Sequence, residues 1–174
     1  MKDRKLLNVE LHRISVEQYR SRAASGLAVV LDNIRSAHNV GSAFRSADSF
    51  GVDKVFLCGI CAVPPSADVH KSALGAEESV PWEYAEDTVS VIRRLREDGY
   101  TVIAVEQTVH AEKLGTFRRD PGRKYALVFG NEVSGVQQEV VDASDLSLEI
   151  PQSGTKHSLN VSVAVGVVLW EMVR

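Results

Sequence analysis

The chain holds only two cysteines in 174 residues, Cys58 and Cys61. Two thiols in a C-x-x-C spacing cannot complete a four-ligand zinc site. A redox C-x-x-C normally opens a helix, whereas here Cys58 ends the apolar run Val55-Phe56-Leu57 and Pro64-Pro65 follow. The pair reads as two buried thiols at a strand end, with a dithiol oxidoreductase as the competing class. No apolar run approaches the roughly 20 residues that span a bilayer. The opening Met1-Lys2-Asp3-Arg4-Lys5 leads into no apolar core of a signal peptide. A soluble, cytoplasmic protein is expected. Positive charge is not in excess: the net charge is −3 and the pI is near 6.0. That argues against nonspecific coating of nucleic acid, for which a domain pI above about 9 is usual. It leaves room for local basic patches.

Familiar site motifs are missing too. There is no G-x-G-x-x-G and no G-x-x-x-x-G-K-[ST], so the usual dinucleotide and P-loop phosphate cradles are absent. H-E-x-x-H and G-x-S-x-G are also absent.

What is present is an alternation of strands and helices. Residues 3–24 look helical, with Ser15-x-x-Gln18 as a capping box for a helix from Val16. Leu27–Leu31, Val55–Cys58, Thr101–Val105, Tyr125–Phe129 and Leu148–Ile150 are short apolar runs that read as buried strands. Between them, helices are expected at Val40–Phe50, stopped by Gly51, at about Asp87–Asp98, stopped by Gly99, and at about Gln137–Ala143. The Arg93-Arg94-Arg96 cluster on the second of these reads as a solvated face. Residues 60–80 read as one long connection of the kind that is usually functional or lid-like. This order predicts one α/β domain with a mostly parallel sheet. Ligands of such sheets collect beyond the carboxyl ends of the strands. Asp32-Asn33, Glu106-Gln107, Gly130-Asn131-Glu132 and the loop after Ile150 all lie there. With Asn39 and Arg45 they suggest a polar ligand that carries a phosphate.

The last segment divides the signals. Leu159, Val161, Val163, Val165 and Val167 alternate with smaller or polar residues, and period two with valine predicts a strand. Ser158, Ser162 and Gly166 also fall at i, i+4 and i+8, a stripe that would let a helix pack closely.

Three blocks taken together resemble the SpoU (TrmH-like) RNA 2′-O-ribose methyltransferases of the SPOUT superfamily. They are Asn39-Val40-Gly41-Ser42-Ala43-Phe44-Arg45, Leu127 to Val136 with its Gly130-Asn131-Glu132 centre, and Ile150-Pro151-Gln152-Ser153-Gly154 with Ser158 to Ala164. The resemblance covers about residues 27–173, after a short N-terminal helical arm at 1–26. It implies a C-terminal deep trefoil knot at about 124–174, S-adenosylmethionine as cofactor, a homodimer and no metal. It also implies a helix after Ser158, against the valine alternation. Methyl-donor contacts fall on Gly130, Ile150 and Leu159, with Glu106, Gln107 and Asn131 in the same pocket. Asn39, Arg45, Glu132, Ser158 and Asn160 match the catalytic and substrate positions. A guanidinium is a poor base, so Arg45 is expected to clamp the phosphate beside the target ribose, with Asn160 and Ser158 holding Arg45 or the ribose. The expected substrate is RNA, with tRNA favoured and ribosomal RNA the alternative. Basic loops such as Arg118–Lys124 would help choose it. A non-catalytic RNA-binding module of the same fold is the other reading.

Overall fold

A computed structural model describes residues 3–174. The apolar runs form β1 (Leu27–Asp32), β2 (Lys54–Cys58), β4 (Tyr100–Val105), β6 (Lys124–Phe129) and β7 (Leu146–Glu149). Two short strands were not anticipated: β3 (Trp82–Ala85) and β5 (Glu112–Lys113). Neither has a continuous apolar run, because both lie at the sheet's edges. The sheet has seven strands in the order β3-β2-β1-β6-β4-β7-β5, and every pair is parallel.

Side chains of the central strands alternate between two cores. Leu27, Val29, Leu31, Leu127, Phe129 and Ile103 pack on one face with α2 (Ala37–Ser49), α3 (Ala67–Ala73) and α7 (Val161–Val173). Ala28, Val30, Ala126, Val128, Val102 and Ala104 pack on the other with α5 (Thr88–Glu97) and α6 (Gln138–Ala143). Burial on both faces is why these strands read as unbroken apolar runs.

Helix ends follow their local chemistry. Asp87 accepts from the amides of Val89 and Ser90 at the start of α5. Gly51 and Gly99 take the left-handed conformation that ends α2 and α5. The N-terminal arm is less helical than expected, with a 3-10 turn at Asn8–Leu11 and a single short helix, α1 (Val16–Ser21). The expectation for Met1 and Lys2 lies outside the described residues. The capping box does form: Ser15 Oγ accepts from the Gln18 amide at 3.2 Å, and Gln18 Oε1 accepts from the Ser15 amide at 2.8 Å. Tyr19 anchors the arm, its hydroxyl 2.8 Å from the Val52 carbonyl oxygen.

Residues 60–80 are not one loop. They contain α3 and a short helix, α4 (Ala76–Ser79). Ser66 caps α3 through the Val69 amide, and α3 presses its backbone on Gly41 of α2.

The valine alternation is overruled at α7. Val165, Val168, Leu169 and Met172 are its buried residues, a helical spacing. Gly166 comes close to Ser46 of α2, while Val163 and Val167 face outward. Tertiary packing of one face outweighs the local preference of valine for strands. No helix among the described residues is long and apolar enough to cross a membrane.

A Cβ on Gly41 would overlap Ser72 Oγ and the Val69 carbonyl oxygen. Gly41→Ala should therefore destabilise the protein by about 1–3 kcal/mol despite the better helix propensity of alanine. Denaturant unfolding measures this, and a stabilised variant would show that α2 and α3 are not packed this closely.

Candidate active site

The carboxyl ends of β4, β6 and β7 open onto a cleft of about 1040 Å³. Gly130, Asn131 and Glu132 enter it from the end of β6, Glu106 and Gln107 from β4, and Ile150 from β7. Ser158, Leu159 and Asn160, on the approach to α7, complete it. Of the expected site residues, Asn39 and Arg45 do not line this cleft.

The loop after β6 is built by Asn131. Its Oδ1 accepts from the amides of Val133 and Ser134, and its Nδ2 donates to the Asn33 carbonyl oxygen at 2.7 Å. Its backbone exchanges two hydrogen bonds with Gly135, whose φ of +70° suits glycine. A Cβ on Gly130 would overlap the Val136 nitrogen, so the loop folds back directly over that glycine. The side chain of Asn131 is thus committed to loop architecture.

This loop presents Glu132 to the start of α2. The carboxylate accepts from the amides of Arg35 and Ser36, both at 3.1 Å, and from Asn39 Nδ2 at 2.9 Å. Partial burial pushes the Glu132 carboxyl up, but the Asn39 amide and these backbone N–H groups outweigh it and hold the group below the usual range. Asn39 Oδ1 in turn accepts from Asn160 Nδ2 at 3.2 Å. Asn160 caps α7, its Oδ1 accepting from the Ser162 amide at 2.9 Å. One residue from each of the three sequence blocks therefore joins the chain Glu132–Asn39–Asn160.

The remaining residues hold other parts. Gln107 Nε2 donates to the His157 carbonyl oxygen at 2.7 Å and ties the exposed loop before α7 to β4. Both oxygens of Glu106 accept backbone amides, from Gln107 and Val136. Arg45 is exposed on α2, six residues beyond Asn39. No hydrogen bond or ion pair engages its side chain among the described residues, so neither Asn160 nor Ser158 holds it. Of the expected basic loop, Arg119 is half-buried and donates to the carbonyl oxygens of Ser25 and Met172, and Arg123 pairs with Asp120. Arg94 and Arg96 pair with Glu83 and Asp145. Cys58 and Cys61 are free and buried, and burial pushes their thiols up to about 12 and about 11. They are unreactive core thiols, not a redox pair.

The cleft suits a small organic cation with polar ends. Its lining includes Glu106, Glu132 and Glu149 and no lysine or arginine. Gly130, Ile150 and Leu159 line it, and their backbone N–H and C=O groups have no partner among the described residues. Leu148, Val161 and Ala164 supply apolar surface.

An all-parallel α/β sheet with a polar cleft at its carboxyl edge, closed by a looped-back C-terminal helix, defines a class of ligand-binding α/β domain. Within that class, the chain belongs to the SpoU rRNA methylase family, whose model matches residues 26–170. It is 36% identical over 148 residues to the 23S rRNA (guanosine-2′-O-)-methyltransferase RlmB of Nitrosomonas europaea, covering 85% of this chain and 56% of that protein. An AdoMet-bound rRNA methyltransferase from Sinorhizobium meliloti superposes with a TM-score of 0.79 at 28% identity, covering 88% of this chain and 59% of that one. The A. aeolicus TrmH/SpoU tRNA modifying enzyme superposes with a TM-score of 0.78 at 26% identity, covering 90% and 78%. The chain spans between about half and two thirds of the length of the curated relatives it matches.

The lowered Glu132 carboxyl carries a pH signature. A group whose folded pKa is depressed contributes stability above its unfolded value, about 4.3, and loses it as pH falls through the folded value. Glu132→Gln should therefore be less stable than wild type at pH 7, with the difference closing as the pH is lowered below about 4. Denaturant unfolding of both proteins across this range measures the gap. A gap that is unchanged in acid would show that the carboxylate charge is not what holds α2.

Proposed function

We propose that this protein transfers a methyl group from S-adenosylmethionine to a ribose 2′-hydroxyl of RNA. The observation that carries this reading is the hydrogen-bonded chain Glu132–Asn39–Asn160, which joins the three sequence blocks beside a cleft lined by carboxylates and unpaired backbone groups that fit a sulfonium compound. The AdoMet-bound neighbour and the methyltransferase relatives support it. Gly130, Ile150 and Leu159 would hold the donor through backbone groups. Glu106, Glu132 and Glu149 would supply a negative field around its positive sulfur.

The donor, when bound, supplies a methyl on a sulfonium, which is already a good leaving group and needs no metal. What the chain must supply is alignment of the ribose oxygen and a route for its proton. Glu132 is ill suited as base, because it accepts three hydrogen bonds and titrates low. It acts instead by holding Asn39 and the first turn of α2. Arg45, exposed and unpaired, clamps the phosphate next to the target ribose, and an oxygen of that phosphate takes the hydroxyl proton on its way to solvent as the methyl leaves sulfur for the ribose oxygen and the donor departs as a neutral thioether. Asn160, capping α7 and bonded to Asn39, and Ser158 sit where the ribose would enter.

Ribosomal RNA is the substrate favoured here, rather than tRNA as the sequence alone suggested. The first curated relatives act on 23S rRNA by their names, including the Nitrosomonas protein. A tRNA target is the second reading, favoured by the A. aeolicus neighbour, which this chain covers more fully. Two further features belong to the proposal. The knot is supported by the path of the chain, which leaves β7 beyond β4 and returns to pack α7 on α2; an experimental backbone trace through 124–174 decides it. A homodimer is supported by the outward apolar stripe of α7, with Val163, Val167, Trp170 and Val173 exposed.

Labelled methyl transfer to unmethylated ribosomal RNA and tRNA, followed by nucleoside mapping, tests the reaction. Label on a base, or on neither RNA, would sink it. Arg45→Ala should lower methyl transfer by at least about 100-fold while calorimetric binding of S-adenosylmethionine is retained. An active Arg45→Ala variant would remove the clamp role. Trp170→Glu should shift the sedimentation mass from dimer to monomer. A wild-type protein that sediments as a monomer would dismiss the interface.

A further inference from the structure

We infer that Asp32 and Glu106 are positioning residues that together clamp the wall of the donor cleft. The functional consequence rests on the methyl-donor reading above; the geometry does not.

β6 lies between β1 and β4 in the sheet. The loop that leaves β6 at Gly130 must turn back at Val136 and Gln137 to begin α6. Asp32 ends β1 and Glu106 follows β4, one on each side of β6. Their carboxylates accept from consecutive backbone amides of the returning loop. Glu106 Oε2 takes the Val136 N–H at 2.9 Å and Asp32 Oδ2 takes the Gln137 N–H at 3.2 Å.

The second oxygen of each carboxylate is also used. Glu106 Oε1 accepts from the Gln107 amide at 2.8 Å. Asp32 Oδ1 accepts from Thr88 Oγ1 at 2.6 Å and from Asn33 Nδ2 at 3.0 Å. Asp32 is fully buried, and neither carboxylate forms an ion pair among the described residues. A buried carboxylate without a cation persists only where hydrogen bonds replace its water. Here those bonds are spent on the loop and on the start of α5, so the carboxylate oxygens fix backbone.

The loop is held close by its own sequence as well. Gly130 and Gly135 have no Cβ where one would overlap the Val136 nitrogen and Glu106 Oε2 respectively. Gly130, Gly135 and Val136 line the cleft, as do Ile150 and Leu159. The clamp thus holds one wall of the cleft for the methyl donor. The loop tip is secured separately, through the bonds of Asn131 and Glu132. Loss of the clamp should accordingly loosen donor binding more than it disturbs the α2 side of the site.

Asp32→Asn and Glu106→Gln remove one charge each with little change of shape. Three measurements on the full chain test them: amide hydrogen exchange, denaturant stability, and methyl transfer as a function of S-adenosylmethionine concentration. The expected result is exchange at Val136 and Gln137 at least about ten-fold faster, with Leu127–Phe129 unchanged, and the donor KM raised about ten-fold while kcat changes less than about three-fold. Unchanged exchange at the two amides overturns the clamp. So does a fall in activity that follows only the loss of global stability, with donor KM unmoved. Glu106 is not fully buried, so its variant carries the test if Asp32→Asn does not fold. If the wild-type protein binds no S-adenosylmethionine, the proposed function fails, and the exchange measurement still decides the clamp.

Discussion

The site depends on the reach of one carboxylate. Glu132, on a loop after β6, crosses to the amides that open α2 and to Asn39 on its first turn. Without that contact the first and second sequence blocks would be separate features of two strand-to-helix connections. With it, the amino end of α2 is held against the loop that walls the cleft. A carboxylate among unpaired amides at a helix start is favourable both as a hydrogen-bond acceptor and against the positive end of the helix. The low titration of Glu132 is the electrostatic trace of the same contact.

The sheet makes this contact possible. Because all strands are parallel, their carboxyl ends lie on one edge, and the loops with spare polar groups collect there. Apart from Asp32 at the end of β1, the central strands are buried on both faces and carry no functional side chains. Positioning falls to the last residue of β1, Asp32, and to the residues that follow β4, β6 and β7, such as Glu106, Gly130 and Ile150. Several polar residues at these strand ends serve the backbone instead of a ligand. Asn131 builds its own loop, Gln107 ties down the segment before α7, and Glu106 grips Val136. A polar residue at a strand end is thus as readily architecture as chemistry.

Arg45 stands apart from this economy. It is exposed and unpaired, unlike Arg94, Arg96, Arg119 and Arg123, which are engaged within the chain. A guanidinium without an internal partner is available to a phosphate from outside. The same comparison narrows the basic surface that could meet RNA, since part of the expected loop at Arg118–Lys124 is committed to latching the end of α7 near Ser25.

The apolar runs, the glycine stops and the Ser15 and Asp87 caps were legible from residue order, because each depends on neighbours within a turn or a strand. The polar strand ends and the three blocks were legible for the same reason. The edge strands β3 and β5 and the two short helices within 60–80 were not, and the helical state of α7 was legible only through the family resemblance, against the valine alternation. Each is decided by what packs on it: a sheet edge, Gly41 of α2, or the core under Val165 and Leu169. Residue order by itself determined which side chains could bind a phosphate-bearing ligand. Only the tertiary structure decided which of them are free to do so, because hydrogen bonds between residues some hundred positions apart, such as Glu132 to Asn39 and Gln137 to Asp32, consume groups that look equally available in the sequence.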